Sequence, residues 1–393
     1  MATTLVISEN FPPRTGGSGR WLWELYRRLP RSEYVIAAGA EARQEAFDRT
    51  HDLQIHRLPL TMRTRGLADP EGLYGYLRGA WRIGRLIRRH GIGMMHCGRC
   101  LPEGWMARMV RAVTGVPYAL YIHGEEMNTA STSRELTWLA RRVLSGARFL
   151  IANSRNTERI LREEWQVPPE RIHVLHPGVD TLRFVPAPCD ETVRSRLGWG
   201  TRPVVLTVGR LQKRKGHDQL IAALPAVRRH APDVLYAIAG DGEERAYLQQ
   251  LVVQHGVAGQ VQFMGEIADD QLITCYQQCD VFALPNRQIG RDIEGFGMVL
   301  LEAQACGKPV IAGTSGGTAE TMRVGETGYT VPCDGPDELA ALLIRLLGDR
   351  ALCERMGHAG RAWVEAHFDW DLLARQAQQL FDHAGVQPAQ KGL

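Results

Sequence analysis

Lysine is almost missing from this chain of 393 residues: only positions 213, 215, 308 and 391 carry it, among 47 cationic side chains. A reaction built on a lysine Schiff base, such as pyridoxal phosphate chemistry, therefore has little to choose from. Long apolar runs are missing too. No window approaches eighteen consecutive apolar residues, which excludes a membrane-crossing helix. The start, MATTLVISENFPP, lacks the basic segment, apolar stretch and cleavage site of a secretory leader, so a cytoplasmic protein is expected. Cysteine is present without an array. Of eight, Cys97 and Cys100 form one CxxC and Cys275 and Cys279 sit one helical turn apart, with no second pair at zinc spacing. Reduced thiols, buried or free, are the expectation, and no metal site. No nucleic-acid motif occurs, and the one tract of low complexity is a short polar tail, QPAQKGL, expected to fray.

What is there suits an ordinary globular protein, with 44% hydrophobic and 23% charged residues. The length exceeds that at which single cores stop growing, so two domains are expected. The net charge of +4 hides an asymmetry: residues 1–185 hold 27 arginines and no lysine against 18 acids, or +9, leaving −5 for the rest. A basic partner surface therefore belongs to the first half. Within GYLRGAWRIGRLIRRHG, Arg78, Arg82, Arg85 and Arg89 recur at helical spacing and form one basic face. Such a face suits solvent, or an anionic lipid surface, or a phosphorylated acceptor.

Short apolar segments alternate with longer amphipathic ones through both halves, the signature of βαβ units and parallel sheets. TTLVIS, YVIAAG, IGMMHC, PYALYIHG, RFLIAN and HVLHPG read as strands in the first half; PVVLTVGR, VLYAIAGDG, QVQFMGE, DVFALPN and KPVIAGT do so in the second. Each set is large enough for its own doubly wound sheet. Between them, DTLRFVPAPCDETVRSRLGWGTRP has Pro and turn residues and no clear strand, which predicts the junction near residues 181–201. The expected domains are 1–185 and 186–368, followed by a helix over 369–387 after an interruption near Phe368.

Ligands on open parallel sheets bind beyond the carboxyl ends of the strands, and four of those loops are chemically loaded. After the first strand, Gly16, Gly17 and Gly19 precede a helix; glycines let amides approach an anion, although a tight turn would use them equally. After PVVLTV, Arg210 and Lys215 suit a diphosphate or stand as solvated loop charges. After PYALYI comes His123, a residue more often structural than catalytic when alone. The fourth is IEGFGMVLLEAQACGKPVIAG. Glu294 lies ahead of its helix and Glu302 about five residues into it, roughly 7 to 8 Å along the axis, so both can touch one ligand. A capping role would account for Glu294 but not for Glu302.

Taken in order, the glycine loop, HG, ANS, HPGVD, VGRLQKRKG, IAGDGEE and EGFGMVLLEAQACGKPVIAG resemble the retaining glycosyltransferases of family four, across essentially the whole chain. The last segment is similar to their E-x7-E signature. The resemblance implies the GT-B fold: two Rossmann-like domains facing a central cleft, the second holding a nucleotide-sugar, with the last helix crossing back to the first. It implies that Glu302 binds the ribose, that Glu294 holds the transferred sugar, and that Arg210 and Lys215 neutralise the diphosphate. The amides of Gly295, Phe296, Gly297, Met298 and Val299 would also meet the phosphates, the backbone from Gly265 to Ile267 would edge the base, and Gly16 and Gly17 would close over from the first domain. His123 would position the sugar. The catalytic set is then His123, Glu294, Arg210 and Lys215, with no metal and no cofactor. Asp369-Trp370-Asp371 matches a metal-binding DxD but reads as ordinary chemistry at a helix start.

The donor region looks closest to GDP-mannose-dependent members, with UDP-glucose and other UDP-sugars left open. A lipid-linked or saccharide acceptor is expected, with a peripheral contact to the anionic inner face of the membrane through the arginine-rich first domain. The competing readings are a binding protein on a degenerate scaffold, a nucleotide-sugar epimerase and a phosphorylase.

Overall fold

The computed structural model describes residues 3–386, and the tail QPAQKGL lies outside them. Seven strands form the first sheet: β1 (Thr3–Ser8), β2 (Tyr34–Gly39), β3 (Ile55–Leu58), β4 (Ile92–Cys97), β5 (Tyr118–Ile122), β6 (Leu150–Ala152) and β7 (Ile172–Val174), in the order β3-β2-β1-β4-β5-β6-β7. Six form the second: β8 (Val204–Val208), β9 (Leu235–Ala239), β10 (Val261–Gly265), β11 (Val281–Leu284), β12 (Val310–Gly313) and β13 (Gly328–Val331), in the order β10-β9-β8-β11-β12-β13. Strand pairing is parallel in both. Central strands such as β5, β8 and β11 are buried at every residue, which is why they read as continuous apolar runs. The strand order reverses between β1 and β4 and again between β8 and β11, so each sheet has a switch point where two loops diverge and leave a crevice.

The alternation of the sequence does not reveal β3 or β13. Both are outermost strands of four residues, and β3 is only partly buried along its length, so neither carries the apolar signal of a central strand.

Two compact units result: residues up to Pro177 together with the helix Trp370–Val386, and residues Gly178–Asp369. The division falls at Pro177 rather than at 185, because residues 178–185 are bound into the second unit. The Val179 amide donates to the Phe368 carbonyl at 2.9 Å, Phe184 is buried beside Tyr276, and Arg361 donates to the carbonyls of Thr181 and Phe184. The predicted junction stretch also holds a short helix, Glu191–Arg196, capped by Asp190. The final helix packs in the first unit, where the Phe381 ring stacks on Tyr26 and Asp371 pairs with Arg28 at 2.8 Å. Among the described residues no helix is long and apolar enough to cross a membrane.

Candidate active site

The second unit's switch point is framed by the loop after β8, which turns through Lys213–Lys215 into the helix His217–Val227, and by residues 285–297 after β11. These loops touch through their backbones. A Cβ on Gly216 would stand 1.8 Å from the Pro285 carbonyl oxygen, so only glycine permits the approach. The Arg287 amide donates to the Arg214 carbonyl at 2.8 Å, and its guanidinium clasps both carboxylate oxygens of Asp218.

That lacing brings Lys215 and Glu294 together. Lys215 Nζ lies 2.7 Å from Glu294 Oε2, and Arg214 reaches the same oxygen at 3.4 Å while its Nε faces Asp292 at 3.2 Å. Glu294 is 9% exposed. Burial alone would raise its pKa, but Lys215 and then Arg214 outweigh burial and hold the carboxyl below its ordinary value. Its main chain is fixed as well. The Glu294 carbonyl accepts the Gly317 amide at 3.2 Å and presses on Gly316, whose φ is 76° and whose Cβ, if present, would come within 1.8 Å of that oxygen.

Glu294 is not a cap. The helix Met298–Ala305 has Gly297 at its N-cap, no side-chain cap bond and no acid in its first turn. Its positive end is thus left without an anionic side chain of its own, an arrangement suited to a phosphate. Glu302, 2% exposed, accepts the Tyr276 hydroxyl at 2.7 Å, which answers why a carboxylate is tolerated in an apolar helix.

Other expected residues stand apart from the Glu294 pair. Arg210 is 71% exposed along its side chain and faces Glu243 at 3.7 Å. Gly265 ends β10, and its carbonyl accepts the Gly240 amide at 2.8 Å; Ile267 packs against the core below. Phe296 is buried in that same core. Gly16, Gly17 and His123 belong to the first unit. Gly16 precedes the helix Gly17–Tyr26. His123 Nε2 lies 2.8 Å from the Gly98 carbonyl, which can only accept, so Nε2 carries the proton and Nδ1 is left as an acceptor. The His123 amide donates to Glu126, its carbonyl accepts from Asn153, and burial lowers the ring's pKa, keeping it neutral. Asp369 accepts the Thr181 hydroxyl and Asp371 pairs with Arg28, so both acids of the DxD have partners in the chain itself.

Sequence reasoning missed Arg214, Asp292 and Tyr276. Arg214 stands between Arg210 and Lys215 in a basic run, and only its burial and its partners distinguish it from a solvated charge.

Two doubly wound parallel sheets, with a buried acid–base cluster and a helix start at the carboxyl edge of the second, are the architecture of the GT-B fold. Comparison with known proteins gives the family. Residues 15–183 match the model of Glycosyltransferase Family 4, and residues 190–363 that of Glycosyl transferases group 1. The chain is 34% identical over 383 residues to the GDP-mannose-dependent alpha-(1-6)-phosphatidylinositol monomannoside mannosyltransferase of Mycobacterium tuberculosis, covering 95% of this chain and 96% of that one. It is also 34% identical over 380 residues to the corresponding monoacylated phosphatidylinositol monomannoside enzyme of Corynebacterium glutamicum, covering 95% and 96%. The crystal structure of Anabaena HepE in complex with UDP shares the fold, with a TM-score of 0.81 over 97% of this chain and all of that one at 21% identity. The chain belongs to glycosyltransferase family 4 and is a retaining glycosyltransferase.

Proposed function

We propose that this enzyme transfers mannose from GDP-mannose to a hydroxyl of a phosphatidylinositol mannoside, without a metal ion. The observation that carries the reading is the Lys215–Glu294–Arg214 cluster at the switch point, in a chain with such relatives along nearly its full length.

Departure of a nucleoside diphosphate builds negative charge on the phosphate and positive charge on the sugar carbon. Lys215 is held in place by Glu294 before any ligand arrives, so it can meet the developing phosphate charge without reorganisation. Two cations face two acids in the cluster, leaving it near neutral. The remaining charge on the diphosphate falls to Arg210 and to the amides from Gly295 to Val299. Arg210's exposed pairing with Glu243 is worth little and is easily exchanged for phosphate. Glu294 then accepts hydroxyls of the mannose, and Glu302 those of the ribose while Tyr276 secures its other contacts. The backbone from Gly265 to Ile267 edges the base, and Gly16 and Gly17 serve the phosphates. With no carboxylate assigned as nucleophile, retention follows a front-face path in which the leaving phosphate takes the acceptor's proton. A neutral His123 offers Nδ1 to a sugar hydroxyl rather than acting as a base.

A thermal-shift panel tests the donor: GDP-mannose at a hundredfold over its Kd stabilises the fold by about 2.7 kcal/mol, and UDP-glucose and ADP-glucose do not. Transfer to phosphatidylinositol mannoside proceeds at full rate in excess chelator. Stabilisation by UDP-sugars alone, or loss of transfer with chelator, overturns the respective part.

A lipid acceptor requires access to a bilayer, and the helix Pro70–His90 supports one. It exposes Leu73, Tyr74, Leu77 and Trp81, the last 57% exposed with Arg85 above its ring, while Arg82, Arg85, Arg88 and Arg89 line a concavity beside β3. Apolar anchors beside arginines match an anionic interface. Replacing Arg85 and Arg89 with alanine lowers binding to vesicles containing phosphatidylglycerol roughly thirtyfold, at about 1 kcal/mol per arginine. Unchanged sedimentation would remove the contact.

A further inference from the structure

The first unit has its own switch point, between β1 and β4, and a carboxylate is buried there that none of the assignments above uses. Glu103 lies in the segment Cys100–Gly104 after β4 and is 0% exposed. Its Oε1 accepts the amide of Glu9 at 2.8 Å, and its Oε2 has no hydrogen-bond partner among the described residues. Glu9 is the first residue after β1, so this bond is made where the glycine loop begins.

The rest of the loop's anchorage radiates from the same place. The Gly98 amide donates to the Ile7 carbonyl at 2.7 Å, Ser8 Oγ donates to the Asn10 carbonyl, and Arg99 donates to Ser18 Oγ at 3.0 Å. Gly98 also accepts from His123 Nε2. The loops after β1, β4 and β5 are therefore one hydrogen-bonded assembly. Glu103 is its fully buried carboxylate, and the groups facing it are Glu9 from the loop after β1, Cys97 from β4, Arg99 and Cys100 from its own loop, and Tyr76 from the helix Pro70–His90.

We propose that Glu103 is a positioning residue for the glycine loop, fixing the loop's first amide from beneath and thereby setting how the loop presents itself to an anionic ligand. The ligand class rests on the reading of the glycine loop as phosphate-facing. Glu103 touches neither sugar nor phosphate; it acts through Glu9.

A buried acid with one oxygen unsatisfied is costly to ionise. Burial, the largest influence, raises the Glu103 carboxyl to about 7, against opposing pulls from Arg99 and the Glu9 amide. It is thus neutral in mild acid and increasingly anionic above neutrality, where a negative charge beneath the loop works against a phosphate above it. The same direction acts on stability. The folded protein keeps the proton up to about pH 7 while the unfolded chain releases it near 4.5, so stability falls as pH rises through that window.

Glu103→Ala and Glu103→Gln, in the full chain, test this. Hydrogen exchange needs no substrate: the alanine variant exchanges faster at residues 9–19, and the glutamine variant, which still offers an oxygen to the Glu9 amide, keeps the wild-type rate. In donor kinetics the alanine variant raises KM for GDP-mannose about tenfold, the loss expected for one buried amide left unpaired. The wild-type donor KM rises severalfold between pH 6 and pH 8, whereas that of Glu103→Gln stays flat. Unchanged loop exchange in the alanine variant overturns the proposal whether or not the enzyme uses GDP-mannose. A lowered Tm with unchanged exchange and kinetics does the same, marking Glu103 as merely structural. A glutamine variant that follows the wild-type pH profile removes the electrostatic part. Absence of turnover by the wild type with every nucleotide-sugar counts instead against the functional reading, and the exchange result still decides the role of Glu103.

Discussion

Glu294→Gln lowers kcat/KM for transfer on the order of a thousandfold, the loss expected for removing one preorganised charged contact from a water-poor site. The substitution is isosteric and keeps an acceptor oxygen, so sterics cannot be blamed. What it removes is the charge shared by Lys215 at 2.7 Å and Arg214 at 3.4 Å. Both cations then lose the acid they share, in surroundings where their side chains are about a tenth exposed. Breaking a buried pair from one side costs about 3–5 kcal/mol, so Tm should also fall by roughly 5 °C or more. The deficit has a defined pH range. Because the Glu294 carboxyl is held below its ordinary 4.5, the pair's contribution is complete above that value and is lost as pH falls through the lower, folded value. The variant's Tm therefore approaches that of the wild type only in strong acid. Lys215→Ala produces a similar kinetic loss from the other side. Near-normal turnover in Glu294→Gln would sink the assignment.

Gly316→Ala lowers kcat about a hundredfold without touching a ligand-binding side chain, the penalty for a displacement of about 1 Å in a catalytic group. Its new Cβ would fall 1.8 Å from the Glu294 carbonyl oxygen, and backbone cannot yield there without carrying Glu294 away from Lys215. Strain from the left-handed φ of 76° is a separate cost of about 1–2 kcal/mol. Gly325→Ala separates the two. That glycine has φ of 86° and nothing within 4 Å of an added Cβ, so its variant shows the strain and none of the displacement. A smaller Tm loss in Gly325→Ala, with activity lost only in Gly316→Ala, is expected; equal activities would show that Glu294's position is not set from this loop.

The fold was legible because central strands of parallel sheets are buried on both faces and announce themselves as apolar runs; β3 and β13 stayed hidden because neither IHRL nor GYTV holds two adjacent apolar residues. The spacing of Glu294 and Glu302 was equally legible. What neutralises Glu294 was not: no cation stands between the two glutamates, and the partner arrives from the loop after β8, through a strand order that no local pattern records. Glu103 went unread for a related reason. It sits three residues after Cys100, where attention goes to thiol spacing, and its meaning depends on an amide 94 positions away.

The contacts that set the second unit's site run from backbone to backbone: Gly216 against Pro285, and Gly316 against Glu294. Loops joined in this way are matched in length as well as in shape. An insertion of one residue after β8, β11 or β12 would throw a carbonyl out of its slot, and no change of side chain could repair the offset. The turns that carry no such contact, such as that at Gly325, are free to lengthen. Descendants of this enzyme can therefore gain and lose residues at such free turns, while the loops tied backbone to backbone must keep their count.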